Sequence, residues 1–150
     1  MPQNIKKPLV ITVVVFLLII FITLLCYALL QFQRPGNKLF RTLILDPIPN
    51  SVTILHSQDE IMAGGIIWLH FKISPDDFNL ILKSKNWEVR SDLGTGEPNS
   101  SIGNWWNPQS LGDNATVCFV IFNYDGHQRD ETIWVNSQKN EVYYQVVFIY

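Results

Sequence analysis

The sequence predicts an α+β fold: one N-terminal apolar helix, then a small, mostly antiparallel sheet in the order β-β-α-β-β-β with the helix packed on one face. Three observations predict it. A charge-free apolar run fills residues 9–30, strand-like alternation recurs at 66–73 and through the last third, and one well-marked helix start, Ser74-Pro75-Asp76-Asp77, stands between them.

The run LVITVVVFLLIIFITLLCYALL has 22 residues, and as a helix it reaches about 33 Å, close to the thickness of a bilayer core. Residues 9–30 are therefore expected to be a transmembrane helix acting as a signal-anchor, behind a short flank, 1–8, that carries Lys6 and Lys7. The run exceeds a cleaved signal's apolar core and no A-x-A site follows. Leu25 stands before Cys26 where a lipidated cysteine wants a small neighbour. Lys6 and Lys7 nearly balance Arg34, Lys38 and Arg41 across the run, and the short basic flank places the remaining domain outside the cytoplasm.

Residues 31–50 read as a juxtamembrane connector, interrupted by Pro35-Gly36, Pro47 and Pro49, with Leu43 to Leu45 able to pack as a short strand. The α+β domain is assigned to 51–150. SVTILH, 51–56, is a first strand candidate, and Ile66 to Ile73 alternates Ile67, Leu69, Phe71 and Ile73 against Ile66, Trp68, His70 and Lys72. Ser74 then caps a helix with Pro75 at its first position and Asp76 and Asp77 in its positive first turn. Phe78, Ile81 and Leu82 share its inner side.

Trp87 to Arg90 is long enough for a brief strand, and 91–112 is a long loop rich in Gly, Ser, Asn and Pro. Its middle, NWWNP, makes Trp105, Trp106 and Pro108 the candidate interaction surface. The alternatives for the Trp pair are cover for the sheet, contact with a partner or ligand, and contact with a membrane interface. After it, ATVCFVIFNY, an Asp125-Gly126 turn, Glu131 to Asn136, and EVYYQVVFIY read as consecutive antiparallel strands.

Charge excludes one class of partner. All 13 acidic residues but only six of the 11 basic ones lie from Thr42 onward, so the domain lacks the basic surface that nucleic-acid binding requires. Cys118 is the one cysteine of the domain and reads as a buried thiol. The only histidines are His56, His70 and His127, with no metal-ligand spacing, and no metal or cofactor is expected. His56 with Asp59 and Glu60, or His70 with the same carboxylates, is the nearest approach to a catalytic group, because a carboxylate can orient an imidazole that acts as a base; no nucleophile accompanies it. Asp125, Asp130 and Glu131 read as the solvated rim of a hairpin. DLGTGEP lacks the remaining positions of a phosphate cradle.

PNSVTIL, WLHFKISPDDFNLIL, NWWNP and EVYYQV together resemble small bacterial proteins that join one N-terminal membrane segment or lipoprotein signal to a compact α+β domain. The resemblance covers most of the chain after Asp46 and implies a bacterial envelope location, with no activity and no site residue attached. The expected function is thus a non-catalytic single-pass protein of the inner or plasma membrane, held in the bilayer through 9–30, whose domain binds an envelope or membrane protein or assists assembly. A membrane-anchored hydrolase and a small-ligand-sensing domain are the alternatives.

Overall fold

A computed structural model of the chain describes residues 6–30, 34–60, 65–90, 102–124 and 127–149. The Asp125-Gly126 turn and the DLGTGEP run lie outside the described residues, as does the part of the long loop from 91 to 101. The chain divides into two compact units, Met1–Gln33 and Arg34–Tyr150.

The first unit contains helix α1, Lys6–Leu30. Its side chains are described over 11–25, where the large hydrophobic residues are 40–64% exposed on every side of the helix. The transmembrane expectation for 9–30 is corrected here: among the described residues no helix is long and apolar enough to cross a membrane. The signal-anchor, the bilayer as a partner, the single-pass inner-membrane location and the envelope function built on that anchor fall with it.

The second unit has the expected α+β layers. Its elements are α2 (Gly36–Leu43), β1 (Thr53–Glu60), β2 (Ile66–Lys72), α3 (Pro75–Ser84), β3 (Glu88–Val89), β4 (Thr116–Tyr124), β5 (His127–Val135) and β6 (Glu141–Ile149). The strands form one sheet in the order β1-β2-β6-β5-β4-β3, each pair antiparallel. β6 lies in the middle, joining β2 to β5.

Alternation along the strands creates two unlike faces. On the helix face, Ile67, Leu69 and Phe71 of β2, Val142, Tyr144 and Val146 of β6, Ile133 and Val135 of β5 and Cys118 of β4 form one core with α2 and α3. α3 starts as its sequence dictates: the Asp77 amide donates to Ser74 Oγ at 3.2 Å, and Phe78 and Ile81 are buried. α2 was hidden in the expected connector. Pro35 has extended backbone and caps the helix instead of ending one, and the spacing of Leu39, Phe40 and Leu43 drives one side of α2 into the core. Gly36 permits the approach, because a Cβ there would stand 2.7 Å from Ile54 Cγ2 and 3.0 Å from Ser57 Oγ.

On the loop face, Trp68, Val117, Trp134 and Tyr143 form a second core with Ile102 and Trp106. Between the faces, one irregularity sets the phase of β1. Ile54 pairs with Phe71, but His56 pairs with His70, so Leu55 is an extra residue. This bulge leaves Ile54 on the helix face and delivers His56 to the loop face. Asp59, opposite Ile67, returns to the helix side.

Candidate functional site

The bulge and the register of β2 with β6 build a column of stacked rings on the loop face. His56 and His70 are cross-strand partners, as are His70 and Tyr143. The His70 and Tyr143 rings lie 4.0 Å apart and 8° from parallel, His56 stacks on His70 at 5.8 Å and 16°, and Trp105 closes the outer end on His56 at 5.2 Å and 18°.

Trp106 holds the segment that supplies Trp105. It is buried and meets Trp134, Tyr143 and Trp105 edge to face at 5.8, 5.3 and 5.8 Å. These are the offset and edge contacts that aromatic quadrupoles favour. Gly103, at φ 110°, takes a left-handed conformation that a side chain resists, and its carbonyl accepts the Trp106 amide at 3.2 Å. Pro108 opens a 3-10 turn, Pro108–Leu111, and is itself buried. The expected interaction surface is thus split by the fold: Trp106 and Pro108 are interior, while Trp105 is half-buried at the rim.

His70 is the most constrained member of the column. Its Nε2 lies 2.9 Å from Glu141 Oε1. A carboxylate only accepts, so that nitrogen carries the hydrogen, and Nδ1 is the lone-pair nitrogen of the neutral ring. Nδ1 is buried with no hydrogen-bond partner among the described residues. Burial lowers the pKa of His70, against the raising effect of Glu141 and with the smaller help of His56 and Lys72. Burial also raises the pKa of Tyr143, whose hydroxyl stands 3.4 Å from Ser110 Oγ.

The structure separates the residues of the expected acid–base group. Arg34 Nε donates to Asp59 Oδ2 at 2.5 Å, away from the ring column, and Glu60 accepts from Gln58 at 2.7 Å. His56 and His70 do meet, but the carboxylate beside them is Glu141, 71 positions from His70. No spacing in the sequence announces that pair. Among the described residues no three His, Cys, Asp or Glu groups could hold a metal. Cys118 is buried, and burial pushes its thiol pKa up, away from nucleophile chemistry.

A second ionisable cluster, unforeseen in the sequence, occupies the helix face. Glu131 is fully buried. Its Oε2 accepts from Lys85 Nζ and, at 2.7 Å, from the Tyr144 hydroxyl. Arg129 Nη2 stands 2.8 Å from its Oε1 as an ion-pair contact lacking hydrogen-bond alignment. Lys85 also donates to the Leu43 carbonyl at 2.5 Å and lies among the Trp87, Phe122 and Tyr144 rings at 5.4–6.0 Å. Burial lowers the pKa of Lys85 and, with Glu131 beside it, raises that of Tyr144 well above the ordinary phenol value. The cluster ties the end of α2 to the end of α3 and to β5 as an ionic brace.

Another accessible feature is an edge of the sheet. β3 pairs with β4 only at Glu88↔Phe119 and Val89↔Cys118, and the Arg90 amide donates to the Val117 carbonyl at 2.9 Å. That bond fixes the direction of β4: residues 117, 119, 121 and 123 turn their backbone N–H and C=O toward β3, while the alternate residues turn theirs toward β5. Among the described residues the pairing stops beyond Phe119. Ile121 and Asn123 thus point backbone donors and acceptors outward beside a groove of about 340 Å³ lined by Glu88, Arg90, Phe119, Ile121 and Phe122, among others.

No family model, curated relative or solved structure matches the chain. The resemblance to membrane-anchored or lipoprotein-like bacterial proteins is corrected by the helix itself, since among the described residues no helix is long and apolar enough to cross a membrane.

Proposed function

We propose that the domain of 34–150 is a docking module that takes an extended polypeptide on the free edge of β4. The observation that carries this reading is the interrupted edge: β3 supplies two paired residues and β4 continues for five more, Val120 to Tyr124. Ile121 is 48% exposed. A strand added there gains main-chain hydrogen bonds from Ile121 and Asn123 and places an alternate apolar side chain against Phe119 and Ile121. Five residues extend about 17 Å, a length suited to one added peptide strand. Lys85 pairs with Glu131 and His70 Nε2 with Glu141, so neither pair leaves a carboxylate free to act as a general base beside a nucleophile.

The test is to pan a random peptide library on the full chain and map the selected peptides by amide chemical shifts. A mild detergent is needed because α1 exposes apolar side chains. The reading expects shifts centred on Ile121 and Asn123, and at least tenfold weaker binding by Ile121→Pro, which lacks the outward N–H. Peptides that bind Ile121→Pro equally well, or that shift only residues remote from β4, contradict it.

A further inference from the structure

We propose that the column Trp105–His56–His70–Tyr143 is an acid-released latch, which holds the 102–111 segment on the sheet while His70 is neutral and releases it when His70 takes a proton. In the closed arrangement the only nitrogen of His70 able to accept a proton is Nδ1, because Nε2 already directs its hydrogen at Glu141. Nδ1 is buried and has no partner among the described residues. Protonation there creates a new N–H with no acceptor among the described residues and a cation in an aromatic stack, whereas in the open state water satisfies both.

The groups around His70 come from three directions and do not all act in one sense. Glu141 and Tyr143 face it from β6, His56 from β1 and Lys72 from its own strand. Glu141 attracts the protonated ring; Lys72 and a protonated His56 repel it. Tyr143 stays neutral across the range. Of all these influences burial is the largest and lowers the pKa, outweighing Glu141. His56 is exposed and stacked on Trp105, whereas the inner ring, His70, is buried, so the trigger is His70.

The sign follows. His70 has a lower pKa when closed than its ordinary 6.5. Closure is fully supported above about pH 6.5 and is lost as the pH falls toward and through the lower closed-state value.

Incorporating 5-fluorotryptophan into the full chain gives each of the five Trp residues its own 19F signal, assigned with single Trp→Phe variants. Between pH 8 and pH 5, the signals of Trp105 and Trp106 are expected to move reversibly to the solvent-exposed position, with a midpoint below 6.5 that coincides with the titration of the His70 ring proton. Trp87, on the helix face, stays in place and reports that the sheet is intact. His70→Gln keeps an N–H for Glu141 but cannot ionise, so its Trp105 and Trp106 signals remain unmoved to pH 5. The proposal is overturned if wild-type Trp105 and Trp106 do not move, if they move together with Trp87, or if the transition survives in His70→Gln. Should that variant not fold, a His70 titration separated from the loop transition in the wild type overturns it equally.

Discussion

On the helix face α2 and α3 cover the sheet and enclose a charged group, Glu131, with full exclusion of solvent; on the loop face the irregular segment 102–111 does the covering, with ring contacts joined by Ile102, Val117 and Leu111. The helices satisfy their own backbones, so the side chains of that face are free to form an ionic brace reaching Leu43 in α2 and Lys85 after α3. An irregular segment satisfies less of its backbone internally. It is held by the large apolar areas of Trp106 and Pro108 and by stacking. The difference locates stability on one face and responsiveness on the other.

Breaking the brace is the most severe way to test that division. Glu131→Gln leaves Lys85 and Arg129 without their shared carboxylate inside the core and is expected to cost about 3–5 kcal/mol, read from urea unfolding. The paired replacement Lys85→Met/Glu131→Leu removes both charges and should recover most of that loss. If the pair is no better than Glu131→Gln alone, the cluster does more than neutralise itself.

Trp106→Ala attacks the other face. It is expected to cost about 3 kcal/mol, the lower end for a buried Trp, because the uncovered segment can collapse onto Trp134 and Tyr143. Hydrogen exchange should rise in 102–111 while the core amides of β2 and β6 change only with global stability. A uniform loosening of both faces would erase the distinction.

The smallest effect separates the faces by pH. Tyr144→Phe removes one hydrogen bond to Glu131, a loss of about 1–2 kcal/mol at neutral pH. In the wild type the raised pKa of Tyr144 means that the folded state keeps a proton the unfolded chain has lost, so stability declines as the pH rises above 10. Lys85 works in the opposite sense, since its lowered pKa favours the folded state as the pH approaches 10.5, and it softens the alkaline decline. His70, lowered by burial, contributes on the acid side below 6.5. Thermal melts of wild type and Tyr144→Phe should therefore differ in their alkaline limbs and share their acid limbs.

What could be read in the sequence was whatever is written locally. Ser74-Pro75-Asp76-Asp77 specifies α3 by itself, and the alternation of 66–73 specifies β2 and its two faces. α2 escaped because Pro35-Gly36 signals a break in any preceding helix and a start for the next one in the same two letters; only burial of Leu39 and Phe40 decides between them. The bulge at Leu55 escaped because one extra residue leaves no mark until the partner strand is known. Glu131 looked like part of a hairpin rim because β5 extends further toward His127 than its apolar end suggested, placing the carboxylate in mid-strand. The fold brings His56 and His70 together, but the carboxylate beside them comes from β6. The expected partners Asp59 and Glu60 were close in sequence and wrongly placed in space, since strand geometry sends neighbours to different faces and depths.

The central place of β6 has a consequence for how the molecule comes into being. Its pairing with β2 links residues 66–72 to 141–147, and its other side closes on β5. Until β6 has been synthesised, β1–β2 and β3–β4–β5 are two separate ribbons, each with an unsatisfied inner edge and a half-built apolar face. A nascent chain on the ribosome therefore exposes its stickiest surfaces longest and completes its sheet in one late step, the situation in which long-range strand pairing is slow and chaperones have most to guard against.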